Sequence, residues 1–453
     1  MTGGIAGDSD WITRWLERDV GGRVVHIERQ ARWRPAWYVD IDHPDGAVSV
    51  YVRGDRLDSP SAFPLAHEMR FQSVLHSEGI PVPRVLGWSD EPRAIAMERV
   101  PGRDSFVDTT DDERRAVMHD YVDALVQLHA IDVEAFSAAD IVRAGTPADA
   151  GLVGLQHFER VAYRALKKRP DPFLEFALGW LARHRPDSRG RESAIVWDSG
   201  QFLHQGGRIT AMIDLEFGHI GDPMQDLAGL WVRNPFLEFG DVAALLRYYE
   251  ERSGTAIDLD AVQYHYILWS LSNQLEFHDV LADPVPGADY MLNLSWCIET
   301  NLMALEGIAT VQDVELPEVV EPTAIESGFG PAHRHLVTAL EQAELGEGAE
   351  RYRRRMAVRL ARHLARIDEI GSTVIAADLD DLAELLGTRP ESWADGERRL
   401  EDYVLHDDGQ HDAQLVALLH RRLHRARMLN GPAGSWITQH RHAPQPRSRE
   451  LRH

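Results

Sequence analysis

The residues best suited to carry chemistry lie in one stretch of the chain, between residues 193 and 230. Asp198 and Gln201 share a short loop there, and Asp214 ends a β-hairpin predicted for residues 201–213. Because a hairpin brings its two ends together, we expect Gln201 and Asp214 to face one site. Their amide and carboxylate oxygens suit a hard divalent cation such as Mg²⁺, which also binds phosphate. With Asp198 available to orient a hydroxyl nucleophile and accept its proton, the residues predict phosphoryl transfer.

The acidic residues of this stretch also have structural interpretations. Asp214 is suited to cap the turn after its strand, and Asp198 to make hydrogen bonds within its own loop. For Asp222, which precedes a proline at the start of a predicted helix, and for Asp226 we favour structural roles. His219 is more typical of a packed, hydrogen-bonded histidine than of a catalytic base.

The elements that must position these residues are strands first and helices afterwards. Alternating and turn patterns predict strands at 24–28, 37–42, 48–53 and 94–100, and a helix at 64–76. The turn signal at 43–46 joins the second and third strands as a hairpin. From residue 111 helices dominate to about 307, interrupted by short strands at 193–197, 201–203 and 208–213. The order predicts an α+β protein.

A further helical region is predicted beyond an irregular segment at 313–331, which is rich in Glu, Pro and Gly. Periodicity predicts helices at about 351–367, 379–386 and 414–429, and no fixed structure for 439–453. Seven arginines lie between Arg351 and Arg366. We interpret them as an exposed helix face that docks on an acidic body, in preference to a nucleic-acid surface. The predicted domains are 1–100, 101–315 and 316–453.

Composition narrows the class of protein and its partners. The formal net charge of −24 argues against nucleic acid as a partner. Cys297 is the only cysteine, which excludes an intrachain disulfide and a thiolate zinc cluster. No run is long and apolar enough for a membrane span, and the first ten residues do not resemble a secretion signal. We therefore expect a cytoplasmic protein with no membrane partner, and a homodimer stays an open alternative.

The segment GGRITAMIDLEFGHIGDPMQDL, residues 206–227, closely resembles the metal-binding segment of the aminoglycoside phosphotransferase and choline-kinase-like superfamily. The resemblance includes the branch related to acyl-CoA-dehydrogenase-associated kinases. Four weaker segments agree in order: VSVYVR at 48–53, HEMRFQSVL at 67–75, GIPVPRVLG at 79–87 and MERVPGR at 97–103. Together they cover roughly residues 10–310. The resemblance implies a bilobal protein-kinase-like fold, in which residues 1–100 form the nucleotide-binding lobe.

By this resemblance the site residues acquire specific roles. Asp214 would be the metal-binding aspartate, and Gln201 the second metal ligand in the place where the family has Asn. Arg53 would take the cationic position of the third strand and pair with Glu68 of the following helix. Glu98 to Val100 would be the hinge whose backbone groups meet a nucleobase. The resemblance thus implies Mg²⁺, ATP or GTP, and a small hydroxyl-bearing substrate, for which this branch favours a hydroxyacyl or other lipid-like acceptor.

Two departures from the family pattern bear on catalysis. The family loop reads His-Gly-Asp, four residues, then Asn, whereas this chain reads VWDSGQ from Val196 to Gln201. Either Asp198 is the base and the loop is two residues shorter, or Val196 stands at the base position; we favour the shorter loop. In addition, RQARWRPA at 29–36 has no glycine to bring backbone amides near phosphate, so only arginine charge is available there.

The sequence therefore supports two functional hypotheses. The first is a nucleotide-dependent kinase acting on a small hydroxyl compound, favoured by the intact Asp214 segment and by Asp198. The second is a pseudokinase, a binding or regulatory protein that keeps the fold, favoured by the altered loop and the missing glycines. Zinc-protease, GxSxG hydrolase and P-loop motifs are absent from the sequence.

Overall fold

The computed structural model describes residues 8–56, 61–187, 190–344 and 348–431. The chain forms two compact units. The first comprises residues within 1–154, 189–257 and 346–352, and the second residues within 155–188, 258–345 and 353–453. The predicted disordered tail, 439–453, lies outside the described residues.

A five-stranded antiparallel sheet lies in the first unit. It is built from β1 (Arg23–Arg29), β2 (Ala36–His43), β3 (Gly46–Gly54), β4 (Val85–Asp90) and β5 (Arg93–Glu98) in the order β1-β2-β3-β5-β4. The pairing of His43 with Gly46 confirms the predicted hairpin turn. β4 was not predicted, because its short, half-buried sequence VLGWSD lacks a clear alternation of apolar residues.

Two helices accompany this sheet. α1 (Asp8–Asp19) buries Ile12, Trp15 and Leu16 against apolar residues of β2, β3 and β5. α2 (Leu65–Ser77) follows β3 and confirms the helix predicted at 64–76. α2 buries polar residues as well as apolar ones, because Glu68 and Gln72 line a cavity that is described below.

The rest of the chain is largely helical. The helices are α3 (Asp111–His129), α4 (Val153–Phe158), α5 (Pro172–Arg183), α6 (Met224–Leu237), α7 (Val242–Ser253), α8 (Leu259–Ser270), α9 (Ser272–Ala282), α10 (Tyr290–Gln312), α11 (Gly330–Gln342), α12 (Ala349–Leu386), α13 (Trp393–His406) and α14 (Asp412–Asn430). The predicted α+β class, with strands first and helices afterwards, is confirmed. The part of the chain that the structure describes contains no helix long and apolar enough to cross a membrane.

Four short strands interrupt the helices in the first unit. β7 (Phe202–Gln205) and β8 (Arg208–Met212) form the predicted hairpin. β6 (Ser193–Ile195) pairs with β9 (His219–Gly221) instead of extending to residue 197. β9 was not predicted, because a three-residue strand carries too few positions to show a period. These two pairs frame the segment that carries Asp198, Gln201 and Asp214.

The C-terminal helices differ from the prediction in detail. The separate helices predicted at 351–367 and 379–386 are parts of one 38-residue helix, α12, and α13 was not predicted. Leu360 and Leu364 of α12 are 37% and 43% exposed.

The irregular segment after residue 313 is confirmed up to α11, and residues on both sides of it belong to the second unit. The division at 100 and 315 stays a prediction.

Candidate functional site

A cavity of about 560 Å³ in the first unit contains most of the predicted site residues. Its walls include all the residues predicted to bind the nucleotide or the metal: Arg53, Glu68, Glu98, Val100, Gln201 and Asp214. Asp198, the predicted base, is not one of its lining residues. These six residues therefore share one cavity, whereas the roles proposed for them stay predictions.

Arg53 is the centre of the polar end of the cavity. It lies near the end of β3, and its guanidinium reaches Glu68 of α2 at 3.3 Å and Asp214, just after β8, at 2.5 Å. The predicted pairing of Arg53 with Glu68 is thus present as a contact. The same arginine also joins the predicted metal ligand, so three sequence-distant residues meet at one charged group.

This contact belongs to a larger buried ion cluster. The Arg34 guanidinium lies 2.6 Å from Glu216 and 3.7 Å from Glu68, and Arg56 lies 3.0 Å from Glu216. The cluster therefore balances three guanidinium groups against three carboxylates: Arg34, Arg53, Arg56, Glu68, Asp214 and Glu216. Such charges are tolerated inside a protein only when they are paired, because each alone would pay a large desolvation cost.

Asp214 is the member of the cluster that opens to the cavity. Its side chain is 25% exposed, whereas those of the other five residues are at most 9% exposed. Burial alone would raise the pKa of Asp214, but the charges of Arg53, Arg32 and Arg34 outweigh it and lower that pKa below its usual value. Asp214 is therefore an ionised, accessible carboxylate, as a metal ligand must be.

Arg34 and Arg32 show how the glycine-free segment before β2 is used. Arg34 is buried and occupied by the ion cluster. Arg32 instead lines the cavity and donates a hydrogen bond from Nη1 to the Tyr51 hydroxyl at 2.9 Å. The arginine charge expected in this segment is thus divided between one structural residue and one that faces the cavity.

Hydrogen bonds to Asp226 hold the start of the loop that precedes β7. The Asp226 carboxylate accepts hydrogen bonds from the backbone amides of Val196 and Trp197 at 3.1 and 2.7 Å. It also contacts His129 Nε2 at 3.0 Å. These contacts confirm the structural role predicted for Asp226.

Gly200 completes the turn with a φ of +93°, and an added Cβ would lie 2.7 Å from the Phe239 ring, so only glycine fits.

The Asp198 carboxylate is engaged on both oxygens. Arg233 of α6 donates two hydrogen bonds to it, from Nε to Oδ1 at 2.7 Å and from Nη2 to Oδ2 at 2.5 Å. Gln201 donates from Nε2 to the same Oδ2 at 2.7 Å. This bidentate pair is a strong, oriented contact. It was missed at the level of sequence, because nothing in the local pattern distinguishes Arg233 from a surface arginine on a helix.

Burial dominates the protonation equilibrium of Asp198. It raises the pKa of Asp198 to about 6, although the Arg233 charge acts in the opposite direction. Asp214 and Glu216 add to the rise by their negative charges. A carboxyl with a pKa near 6 is well matched to proton transfer near neutral pH, but its oxygens must first become accessible to a substrate.

Gln201 connects the Asp198 loop to the cavity. Its backbone carbonyl accepts a hydrogen bond from the Ile213 amide at 3.1 Å, which closes the β7–β8 hairpin beside Asp214. Its side-chain nitrogen is used on Asp198. The remaining side-chain oxygen, Oε1, is the atom with which Gln201 would bind a metal ion.

The segment after β5 forms another part of the cavity wall. The amide of Glu98 donates to the Arg84 carbonyl at 2.9 Å, and the amide of Arg99 donates to the Ser49 carbonyl at 3.0 Å. The amides of Glu98 and Arg99 are therefore engaged within the protein, and the Glu98 carbonyl and the Val100 amide are two groups that could contact a nucleobase. Tyr38 and Tyr51, whose ring centroids are 5.8 Å apart, add aromatic surface to this cavity.

Comparisons with known proteins agree with the resemblance seen in the sequence. The model of the phosphotransferase enzyme family matches residues 35–265. Acyl-CoA dehydrogenase family member 11 of Rattus norvegicus is 28% identical over 190 residues, which are 38% of this chain and 23% of that protein. The Pongo abelii protein of the same name is 28% identical over 276 residues, 54% of this chain and 34% of that protein. The chain thus spans about a quarter to a third of the length of these curated relatives.

Among solved structures, similarity is found to a thermostable mutant of the aminoglycoside phosphotransferase APH(4)-Ia in a ternary complex with ADP and hygromycin B. The sequences are 16% identical and the TM-score is 0.45, over 64% of this chain and 98% of the other.

Proposed function

Because the chain belongs to the phosphotransferase enzyme family, we propose that it is a nucleotide-dependent kinase that transfers a phosphoryl group to the hydroxyl of a small molecule. The observation that carries this proposal is the cavity that Arg53, Gln201 and Asp214 line together. The Asp214 carboxylate is ionised and accessible from this cavity. In phosphoryl transfer the protein mainly positions groups and offsets charge, and this set of residues is suited to that task.

In the proposed complex the nucleotide lies along the cavity. The Glu98 carbonyl and the Val100 amide would bind the base, and Tyr38 and Tyr51 would contact it. Arg32 and Arg53 would face the phosphates with positive charge, which takes the place of the backbone amides that a glycine-rich turn would supply. ATP and GTP are both candidates as the phosphoryl donor.

The donor set fits Mg²⁺. Asp214 offers an ionised carboxylate oxygen and Gln201 an amide oxygen, which are the hard ligands that this ion prefers. When bound, Mg²⁺ would neutralise phosphate charge. Arg53 donates a hydrogen bond from Nη2 to one carboxylate oxygen of Asp214, Oδ1, at 2.5 Å. Arg53 would therefore hold Asp214 in place and partly neutralise its negative charge.

The role of Asp198 as base requires a change in its contacts. Asp198 would orient the acceptor hydroxyl and take its proton after Arg233 releases at least one carboxylate oxygen. We favour the shorter of the two loop registers, because it keeps a carboxylate at the position of the base. The branch that the sequence resembles suggests a hydroxyacyl or other lipid-like acceptor, and we propose a cytoplasmic location.

The second candidate function is that of a pseudokinase that binds a nucleotide without efficient transfer. The specific observation that favours it is the closed Asp198–Arg233 pair outside the lining of the cavity. Neither function requires nucleic acid or a membrane as a partner, and both are compatible with a monomer or a homodimer.

A thermal-shift titration combined with a turnover assay tests the proposal. A nucleotide that binds only the folded chain must raise its melting temperature, and Mg²⁺ should increase that shift. Hydrolysis or transfer of the terminal phosphate in the presence of hydroxyacyl compounds would then identify an active kinase. Nucleotide stabilisation with no turnover would favour the pseudokinase, and no stabilisation by ATP or GTP would contradict both.

A further inference from the structure

Helices α10 and α14 of the second unit pack side by side in antiparallel directions. Near one end Arg427 Nε of α14 lies 2.9 Å from Glu299 Oε1 of α10. Near the other end Gln312 Nε2 donates to Asp412 Oδ2 at 3.1 Å. These two contacts define the register of the pair: moving forward along α10 corresponds to moving backward along α14.

Three side chains with metal-binding atoms meet between those contacts. Seven residues after Glu299 comes Glu306, and seven residues before Arg427 comes His420, so the register sets Glu306 opposite His420. His424 lies one helical turn beyond His420 on the same face of α14. One ligand atom from each of the three lies within 4.8 Å of the others.

The two imidazole rings already converge. Their centroids are 4.3 Å apart at an interplanar angle of 61°. His420 is buried, while Glu306 and His424 are half-buried. The cluster therefore has one side held inside the helix pair and one side that water or an ion can reach.

We propose that Glu306, His420 and His424 bind a divalent transition-metal ion, with Zn²⁺ as the best match, and that this ion joins α10 to α14. Two imidazole nitrogens and one carboxylate oxygen are a common donor set for Zn²⁺ and a poor one for Mg²⁺, which prefers oxygen alone. Three protein ligands leave a coordination position for water on the half-buried side.

The spacing of the three ligand atoms can be compared with the spacing around a bound ion. Donor atoms bound to tetrahedral Zn²⁺ at roughly 2.0–2.2 Å lie roughly 3.4 Å from one another. The three atoms all lie within 4.8 Å of one another, so each distance between them is at most about 1.4 Å longer than that spacing. Because His420 and His424 are on one helix and Glu306 on another, the bound ion would act as a cross-link that stabilises the folded state.

The site is independent of the proposed kinase cavity. Glu306, His420 and His424 lie in the second unit and outside residues 35–265, the part matched by the family model. The described residues contain no other group of three histidine, cysteine or acidic side chains with this spacing. A test can therefore measure the ion at this site without relying on nucleotide binding or turnover.

The test is a titration of the full, metal-free chain with Zn²⁺ by calorimetry and with Co²⁺ by visible absorption. Variants Glu306→Gln and His424→Gln each remove one ligand at a half-buried position. The matched control is His411→Gln, which removes a histidine that pairs with Asp407, packs beside the Tyr403 ring and is not one of the three proposed ligands. Circular dichroism and metal-free melting temperatures show whether the variants fold.

We expect one Zn²⁺ per chain and an absorption band of Co²⁺ in a low-symmetry nitrogen and oxygen site. Each ligand variant should weaken Zn²⁺ binding by at least about 100-fold, more than the loss of an outer-shell partner costs, while the control binds like the wild type. No saturable binding by the wild-type chain, or equal binding by wild type, Glu306→Gln and His424→Gln, would overturn the proposal. Were a variant to misfold, the wild-type stoichiometry and Co²⁺ spectrum would still decide, because an octahedral aqua-like spectrum contradicts the site.

Discussion

Asp214 and Asp198 are two aspartates close in sequence whose surroundings give them opposite properties. Asp214 faces the cavity beside several guanidinium groups, which lower its pKa in spite of burial. Asp198 is closed off by Arg233 and Gln201, and burial raises its pKa to about 6. The comparison shows that one part of the site is ready to bind a cation, whereas the other must open before it can take a proton.

The largest expected effect comes from removing the accessible carboxylate. Asp214→Asn should abolish the Mg²⁺-dependent part of nucleotide stabilisation. The whole stabilisation by a ligand at 100 times its dissociation constant is about 2.7 kcal/mol, so the loss is at most of this size. Arg53 keeps Glu68 as a partner in this variant, so the chain should still fold. The measurement is the melting temperature with nucleotide, with and without Mg²⁺.

The control for that measurement is Asp112→Asn, which removes an exposed aspartate that pairs with Arg115 on α3. It should behave like the wild type. An Asp214→Asn variant that retains the full Mg²⁺-dependent shift would show that Asp214 is not a metal ligand.

The second prediction concerns Asp198, the aspartate whose oxygens are engaged by Arg233 and Gln201. In an active kinase Asp198→Asn should reduce turnover by about 10²- to 10⁴-fold, the range for loss of a general base, with nucleotide affinity nearly unchanged. Steady-state rates and nucleotide titrations measure the two quantities separately. Equal turnover of the variant and the wild type would remove Asp198 from the mechanism.

A third effect concerns the stability of the ion cluster. Glu216→Gln removes a carboxylate that Arg34 and Arg56 contact in the buried cluster. The free energy of unfolding, measured with urea, should therefore fall by about 3–5 kcal/mol. The charges of Arg56 and Arg34 outweigh burial and lower the pKa of Glu216 from its usual 4.5. The stabilisation is therefore present above that value and is lost as the pH falls below it.

Glu251→Gln, at an exposed position of α7, is the matched control for Glu216→Gln. It should change the free energy of unfolding by no more than about 0.5 kcal/mol. A Glu216→Gln variant as stable as the control would mean that the cluster contributes little to the fold.

The smallest effect is a shift in pH dependence. In an active kinase that uses ionised Asp198, turnover should rise with pH around the Asp198 pKa of about 6. Arg233 lowers that pKa, so in Arg233→Met the midpoint should move upward by about one unit or more. The pH–rate profiles of the two proteins measure this shift, and Arg115→Met serves as the surface control. A midpoint that stays in place, or moves downward, would contradict the assignment of Asp198 as the titrating group.

Much of the fold followed from local patterns. Turn residues and alternation predicted the β2–β3 and β7–β8 hairpins, and periodicity predicted α2 and α14, because such elements are set by neighbours in sequence. β4 and β9 were missed, since short strands of mixed composition are stabilised by their partners in the sheet. The single helix α12 was predicted as two pieces, because Gly371, Ser372 and Thr373 in its middle are weak helix formers.

The sequence by itself determined the family and the chemical types at the site. Gln201 and Asp214 are joined by a hairpin, so their meeting at one cavity depends only on nearby residues. Only the tertiary structure decided which charges neutralise which. Arg34 and Glu216 are 182 residues apart, and Arg233 reaches Asp198 across 35 residues. A buried charge must find a partner wherever the folded chain brings one, and sequence spacing carries no record of that choice.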